Sequence, residues 1–306
     1  MSGATHTSRH PRTGGWRRWL GEQPIGGLFA LPYVIFVLVI FAYPLGYAIY
    51  MAFHDYFFTA PGVNVDKPFV GFENFITVLS DPDVLQAFRN ILVFLVINVP
   101  LTVVLSMILA NVLNAGVRWA AMFRIAFYLP YITASVSLVG VWLLLFSQNG
   151  LINSILGSWA PDPSWLSNTR LAMPLIALYV TWKQLGFYIL LYLAALQNVP
   201  KELHEAAEMD GCNGLQRFWH VTVPSVRSTT TLVLVLAIIT GSNLFTEPYL
   251  LTNGGGPDGS STTPVLLIYQ LGIQQQNPDL ASAIGMLLVI LVGLMSMIAN
   301  QLNKEK

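Results

Sequence analysis

Charge is the first thing this sequence is short of. Only 10% of its 306 residues are Asp, Glu, Lys or Arg, against about 25% in an ordinary soluble domain. Hydrophobic residues make up 54% of the chain, and its mean hydropathy is +0.59. Such a composition belongs with membrane proteins. The 15 basic and 15 acidic residues cancel, so net charge points to no nucleic acid or other strongly charged partner. One cysteine, Cys212, makes no internal disulfide and no multi-cysteine metal site, and reads as a small packing residue. His54, His204 and His220 lack a His-Glu-x-x-His spacing, which leaves an intramembrane metalloprotease without support. No Ser-Lys or Ser-His-Asp spacing stands out, and no solenoid-period repeat is present. The Gly-rich "TNGGGPDGSSTTP", residues 252–264, has no lysine and no following Gly-Lys-Ser/Thr. It is therefore no phosphate cradle, and the chain shows no means of hydrolysing ATP.

What the sequence has instead is long apolar runs. A helix needs about 20 mostly apolar residues to cross a hydrocarbon core of roughly 30 Å. Six runs of that kind lie at 27–52, 87–113, 119–146, 171–196, 226–250 and 279–302. This predicts an all-α integral membrane protein with a six-helix domain over 27–302, a polar tail at 1–26 and a short C-terminus at 303–306. The tail carries Arg9, Arg12, Arg17 and Arg18 and lacks an A-x-A-like cleavage site, so it reads as retained. With the N-terminus inside, Arg118, Arg124, Lys201, Arg217, Arg227, Lys304 and Lys306 also fall inside, leaving Lys67, Arg89 and Arg170 outside. The positive-inside bias places both termini in the cytoplasm. Outside, "GFENFITVLSDPDV" predicts a short surface helix ended by a turn, and 252–264 an external loop.

Between the fourth and fifth runs stands the polar segment 197–225. Pro200 opens a helix over "KELHEAAEMD", Gly211 stops it, and Asn213 caps a second short helix that Pro224 keeps from running smoothly into the next span. The outcome is a helix, a glycine hinge and a helix, either projecting from the membrane or lying on the headgroups.

The spacing decides between these. Glu205-Ala206-Ala207, three residues, Gly211, nine residues, Val221, one residue, Val223-Pro224 resembles the EAA loop of permease subunits of binding-protein-dependent ABC importers, E-A-A-x3-G-x9-I-x-L-P. Val221 and Val223 replace the usual Ile and Leu. "GFENFITVLSDP", "FRIAFYLPYITASVSLVGVWLLLF", "GLINSILG" and "FTEPYLLTNGGGP" are similar to the carbohydrate-uptake class, the maltose and glycerol-phosphate type. The resemblance implies an ABC type I importer permease fold and a sugar or sugar derivative as solute. It also implies a second homologous permease, two ATPase subunits and an extracytoplasmic solute-binding protein or lipoprotein. ATP and Mg would be used by the ATPase subunits, with no cofactor in this chain. It assigns ATPase coupling to Glu205, Ala206, Ala207, Asp210, Gly211, Phe218 and Pro224. Glu205 would pair with a basic residue of the ATPase, the alanines would permit close approach, and Phe218 with Trp219 would anchor the second helix.

Inside the membrane, Lys183 is an ionisable residue near mid-span, and so either a functional group or a structural charge paired with Glu247 or with carbonyls. Trp182 and Gln184 beside it offer an aromatic face and an amide, which suit a sugar and also suit helix packing. Asn243, Phe245, Glu247 and Tyr249 lie towards the outer half of the fifth run, where Gly241 and Pro248 are expected to break the helix and line a path. These seven are the substrate-path candidates. Rival readings are an importer subunit for an amino acid or peptide, an ion-coupled secondary transporter, and a membrane enzyme. The secondary transporter requires mid-membrane coupling carboxylates that the sequence lacks.

Overall fold

The computed structural model describes residues 24–60 and 65–302, with side chains from Phe29 to Gln301. The four N-terminal arginines, most of the expected tail 1–26, and Lys304 and Lys306 lie outside the described residues. Among the described residues the regular elements are all helical, apart from one isolated bridge between His54 and Phe69. The chain divides into two compact units, 1–50 and 51–306.

Helix α1 starts at Pro24 and not at 27. It runs as Pro24–Val37, passes through a π-helical stretch Leu38–Ala42 and ends as Tyr43–Ala52. The π stretch ends two residues before Pro44. A proline has no N–H to return to the preceding turn, and the ladder widens there to accommodate it. No side chain in the apolar window of this helix is buried, as expected where lipid or another chain covers it. Tyr43, Tyr47 and Tyr50 stack along one side at 6.3 and 6.0 Å.

The second unit contains α2 (Glu73–Ser80), α3 (Pro82–Asn114), α4 (Ala120–Ile132), α5 (Ser135–Phe146), α6 (Leu151–Leu156), α7 (Ala172–Leu196) and α8 (Lys201–Met209). After these come α9 (Gly214–Ser225), α10 (Arg227–Ser242), α11 (Thr246–Leu251), α12 (Pro264–Gln274) and α13 (Pro278–Leu302). α2 is the expected short surface helix. Asp81 ends it and also caps α3, its carboxylate accepting from the Asp83 N–H at 2.8 Å with Pro82 in the first turn.

Burial separates the spans. Half of the apolar window of α3 and 61% of that of α7 are buried, against 22% for α13 and 11% for Ser135–Trp159. The α3–α7 pair is therefore the centre of the bundle, and Phe94, Tyr179, Tyr188 and Tyr192 are its fully buried large side chains. In lipid the hydrophobic effect does not distinguish one apolar helix from another, so close packing and interhelical hydrogen bonds hold such a centre. Asn98 Nδ2 donates to Thr181 Oγ1 at 2.8 Å between α3 and α7. Tyr188 and Tyr192 on α7 bond Thr240 and Thr230 on α10, both at 3.1 Å. A Cβ on Gly186 would lie 2.2 Å from the Phe127 carbonyl oxygen, so only glycine lets α7 press onto the backbone of α4.

Among the described residues five helices are long and apolar enough to cross a membrane, or six when the bent pair α9 and α10 is taken as one span. Two expected spans differ in form. The run 119–146 is two helices, because Pro130 lacks an N–H, Thr133 turns extended (φ −78°, ψ 143°), and its hydroxyl bonds the Leu129 carbonyl at 2.7 Å. The run 226–250 breaks at Asn243–Phe245, not at Gly241 or Pro248. Gly241 lies within α10, where its missing Cβ admits Leu95 and Phe94 at 2.9 and 3.0 Å. Pro248 sits in the first turn of α11, where no N–H is required.

Candidate functional site

Two regions hold the residues singled out from sequence. The first is the polar segment at one end of the bundle. Pro200 precedes α8, and the C-terminus of α8 closes in a Schellman arrangement. Gly211 adopts φ +80°, its N–H bonds Glu208 O at 3.0 Å, and Cys212 N–H bonds Ala207 O at 2.9 Å. Asn213 then opens α9 with a capping box: its side chain accepts from Gln216 N–H at 2.9 Å while Gln216 Oε1 accepts from Asn213 N–H at 2.8 Å. Glu208 and Arg217 pair across the hinge. Within α9 a π stretch, Phe218–Thr222, again precedes a proline, Pro224, and the chain turns by 72° into α10. Each of these bonds is local, so the helix–hinge–helix is held largely by itself.

Its residues divide by face. Ala207 and Phe218 turn inward, the latter onto the main core. Glu205, Ala206, Asp210, Gly211 and Pro224 are exposed. Exposed with them are four large apolar side chains, Leu203, Met209, Leu215 and Trp219, of which Met209 is 88% accessible. Trp219, expected as an anchor, points away from the chain's own core at 58%. A cavity of about 300 Å³ between this segment and the end of α3 is lined by Asn111, Asn114, His204, Arg217 and Phe218. Exposed apolar side chains grouped around an acidic helix mark a surface for contact with a protein or a membrane.

The second region lies inside the bundle. Lys183, near the middle of the 25-residue α7, bonds Glu247 Oε1 at 3.1 Å and Ser135 Oγ at 2.5 Å, with only 14% and 11% of the two charged side chains accessible. The pair ties the middle of α7 to the start of α5 and to α11. Each charge meets an opposite charge, which is what makes both tolerable away from water. Glu247 is the partner that the sequence reading named for a paired Lys183. Trp182, 39% exposed, continues an aromatic cluster with Trp142 and Tyr179, at 5.8 and 6.3 Å. Gln184 Oε1 is buried without a hydrogen-bond partner among the described residues.

Phe245 and Tyr249, one turn apart across the start of α11, stack at 5.4 Å, and Tyr269 of α12 meets both edge-on at 5.3 and 5.8 Å. Sequence reasoning missed Tyr269, since nothing local joins it to α11. Asn243 stands apart, exposed, its amide bonded back to the Ile239 carbonyl at 2.7 Å.

The segment 252–264, expected as an external loop, is packed against the bundle. Ser261 and Thr263 are fully buried, Thr252 and Ser261 hydroxyls bond at 2.7 Å, and Thr263 Oγ1 donates to the Leu244 carbonyl at 2.6 Å. That last bond satisfies the backbone freed at the helix break, the condition for irregular chain at membrane depth. Gly255, at φ +124°, leaves room for Thr262 Oγ1, which a Cβ would meet at 2.2 Å. Hydroxyl-rich composition and glycine-permitted conformations together turn a polar stretch into buried, self-satisfied structure.

Comparison with known proteins places this architecture. Among proteins of similar sequence is the arabinooligosaccharides transport system permease protein AraP of Bacillus subtilis (strain 168), 33% identical over 94% of this chain and 92% of that protein. Another is the lactose transport system permease protein LacF of Rhizobium radiobacter, 29% identical over 92% of this chain and 94% of that one. The fold is that of a chain in the crystal structure of a bacterial alginate ABC transporter in complex with an alginate pentasaccharide-bound periplasmic protein. The TM-score is 0.77 at 21% identity, over 94% of this chain and 96% of the other. Residues 92–305 match the family described as binding-protein-dependent transport system inner membrane component. The chain belongs to that family: it is a multi-pass inner-membrane transport component and not an enzyme.

Proposed function

We propose that this chain is one permease half of an ATP-driven importer for a sugar or sugar derivative, with 197–225 as the element that couples it to a separate ATPase subunit. The observation that carries the coupling role is the self-held α8–Gly211–α9 unit with its exposed ridge of Leu203, Met209, Leu215 and Trp219. A rigid module that presents apolar side chains beside Glu205 transmits a push from its partner to α7 and α10, the helices that lead into and out of it. The tyrosine–threonine bonds between those two helices make them move together. The remaining parts are a second homologous permease, a pair of ATPase subunits using ATP and Mg, a solute-binding protein on the opposite face, and both termini in the cytoplasm. ATP binding then needs to favour one of two helix packings by only a few kcal/mol.

A sugar as solute is supported by relatives named for arabinooligosaccharides and lactose, and by the chemistry of the interior. Lys183 and Glu247 neutralise each other, which leaves aromatic faces at Trp182, Phe245 and Tyr249, the amide of Gln184, and the side-chain oxygen of Asn243, whose NH2 is already bonded to Ile239. Aromatic faces stack on sugar rings and amides read hydroxyls, so this set suits an uncharged polyhydroxylated solute.

The test is reconstitution with the ATPase subunits, partner permease and binding protein. Glu205→Ala and Gly211→Val are expected to abolish solute-stimulated ATP hydrolysis and uptake while the complex still assembles. Full stimulation in both variants would remove the coupling role. A panel of saccharides against amino acids and peptides in the uptake assay decides the solute class, and Trp182→Ala is expected to raise KM for a transported saccharide.

A further inference from the structure

Basic residues are scarce at the end of the bundle away from the coupling segment, yet two of them converge. Arg89, two turns into α3, and Arg170, just before α7, line one cleft of about 740 Å³ together with Leu85, Val93, Met173 and Asp258. Neither guanidinium has a hydrogen bond or ion pair among the described residues. One wall is fixed from α3: Gln86 donates to the Asp258 carbonyl at 2.7 Å, and Asn90 to the carbonyls of Gly259 and Thr262 at 2.8 and 2.9 Å. The two amides are thus committed to the wall, and the two arginines are left for a ligand.

Depth and shape identify it. The 33 residues of α3 reach about 50 Å at ~1.5 Å each, so its ends overhang a hydrocarbon core of roughly 30 Å. α7, at 25 residues, reaches only ~37 Å, which keeps Arg170 close to the hydrocarbon edge. With the hydrocarbon core centred on these two helices, both arginines stand at headgroup level. From Arg89 the same face of α3 continues downward through Val93 and Val96, 40% and 70% exposed, and upward to Leu85 at 50%. A basic rim above an apolar stripe fits an amphiphile with an anionic head and a hydrocarbon tail. The charges lining the cleft, Arg89 and Arg170 against Asp258, leave one net positive charge, which matches one phosphodiester.

We propose that this cleft binds an anionic phospholipid, its phosphodiester held by Arg89 and Arg170 and an acyl chain lying along Leu85, Val93 and Val96. An acidic side chain of a docked protein would use the arginines alone, whereas a phospholipid uses the arginines and the stripe together.

The test uses the assembled transporter in detergent, titrated with phosphatidylglycerol and separately with phosphatidylcholine, with retained lipid read by native mass spectrometry. Phosphatidylglycerol is expected to be retained preferentially. Arg89→Gln and Arg170→Gln should each weaken it about fivefold, the effect of one juxtamembrane cation, and the Arg89→Lys/Arg170→Lys variant should keep the preference. Equal retention of both lipids, or an unchanged preference in the double glutamine variant, overturns the proposal. Two further arms separate other anions. Displacement of the lipid by inorganic phosphate at equal concentration would make the site one for free anions. A double glutamine variant that keeps phosphatidylglycerol but loses affinity for the solute-binding protein would make it a protein-docking surface.

Discussion

Two polar interruptions of an apolar chain, 197–225 and 243–263, have opposite origins. The first is held by bonds spanning three to nine residues: the Schellman turn at Gly211, the Asn213–Gln216 capping box and the Glu208–Arg217 pair. The second is held largely from other helices, by Lys183 on Glu247 and by Gln86 and Asn90 on the Gly-rich wall, with Thr263 closing it onto its own Leu244 carbonyl. A locally held module keeps its shape as the helices around it shift, which suits a contact with a moving partner. A segment pinned by other helices changes when they do, which suits the interior of a transport path.

The sharpest way to break this contrast is to remove one distant anchor. Lys183→Met leaves Glu247 buried and unpaired and is expected to cost about 3–5 kcal/mol, read as a lower melting temperature of the purified complex. The double variant Lys183→Met/Glu247→Gln should recover most of it. A single variant as stable as the parent would mean that the pair does not hold α11. Next in size, Gly186→Ala forces a Cβ into the backbone of α4, with an expected loss of about 1–3 kcal/mol visible in the same melt and as reduced yield of assembled complex.

Local changes should do less to stability and more to coupling. Gly211→Val places a β-branched side chain at φ +80°, an expected cost of roughly 1–2 kcal/mol, confined in hydrogen exchange to 200–225. Spread of that exchange to α7 would contradict the self-contained character of the segment. Smallest, Asn213→Ala removes the cap of α9 for about 1 kcal/mol, seen as faster amide exchange at Gln216 with little change in the melt.

The same division governs what was readable beforehand. Helix starts and stops in 197–225 were legible because Pro200, Gly211 and Asn213 act on their own neighbours. Gly241 and Pro248 read as helix breakers because their local chemistry favours breaking, whereas the break stands at 243–245. Packing reversed their roles: Gly241 serves a close contact with Phe94 and Leu95, and Pro248 is harmless in a first turn. That the Gly-rich stretch packs into the bundle is not legible in its composition, since its burial depends on hydroxyl pairs such as Thr252–Ser261. Pairing of Lys183 with Glu247 was one of two open readings, because sequence separation says nothing of which helices are neighbours.

By itself, then, the sequence determined the membrane class, the approximate spans, the helix–hinge–helix at 197–225 and the family. Each depends on composition, on periods of apolar residues or on signals within a single turn. Only the tertiary structure decided where the spans break, which charges cancel, that Tyr269 joins Phe245 and Tyr249, and that Arg89 and Arg170 share one cleft. Those are meetings of side chains far apart in the chain, set by helix packing, where one missing Cβ or one buried hydroxyl chooses the neighbour.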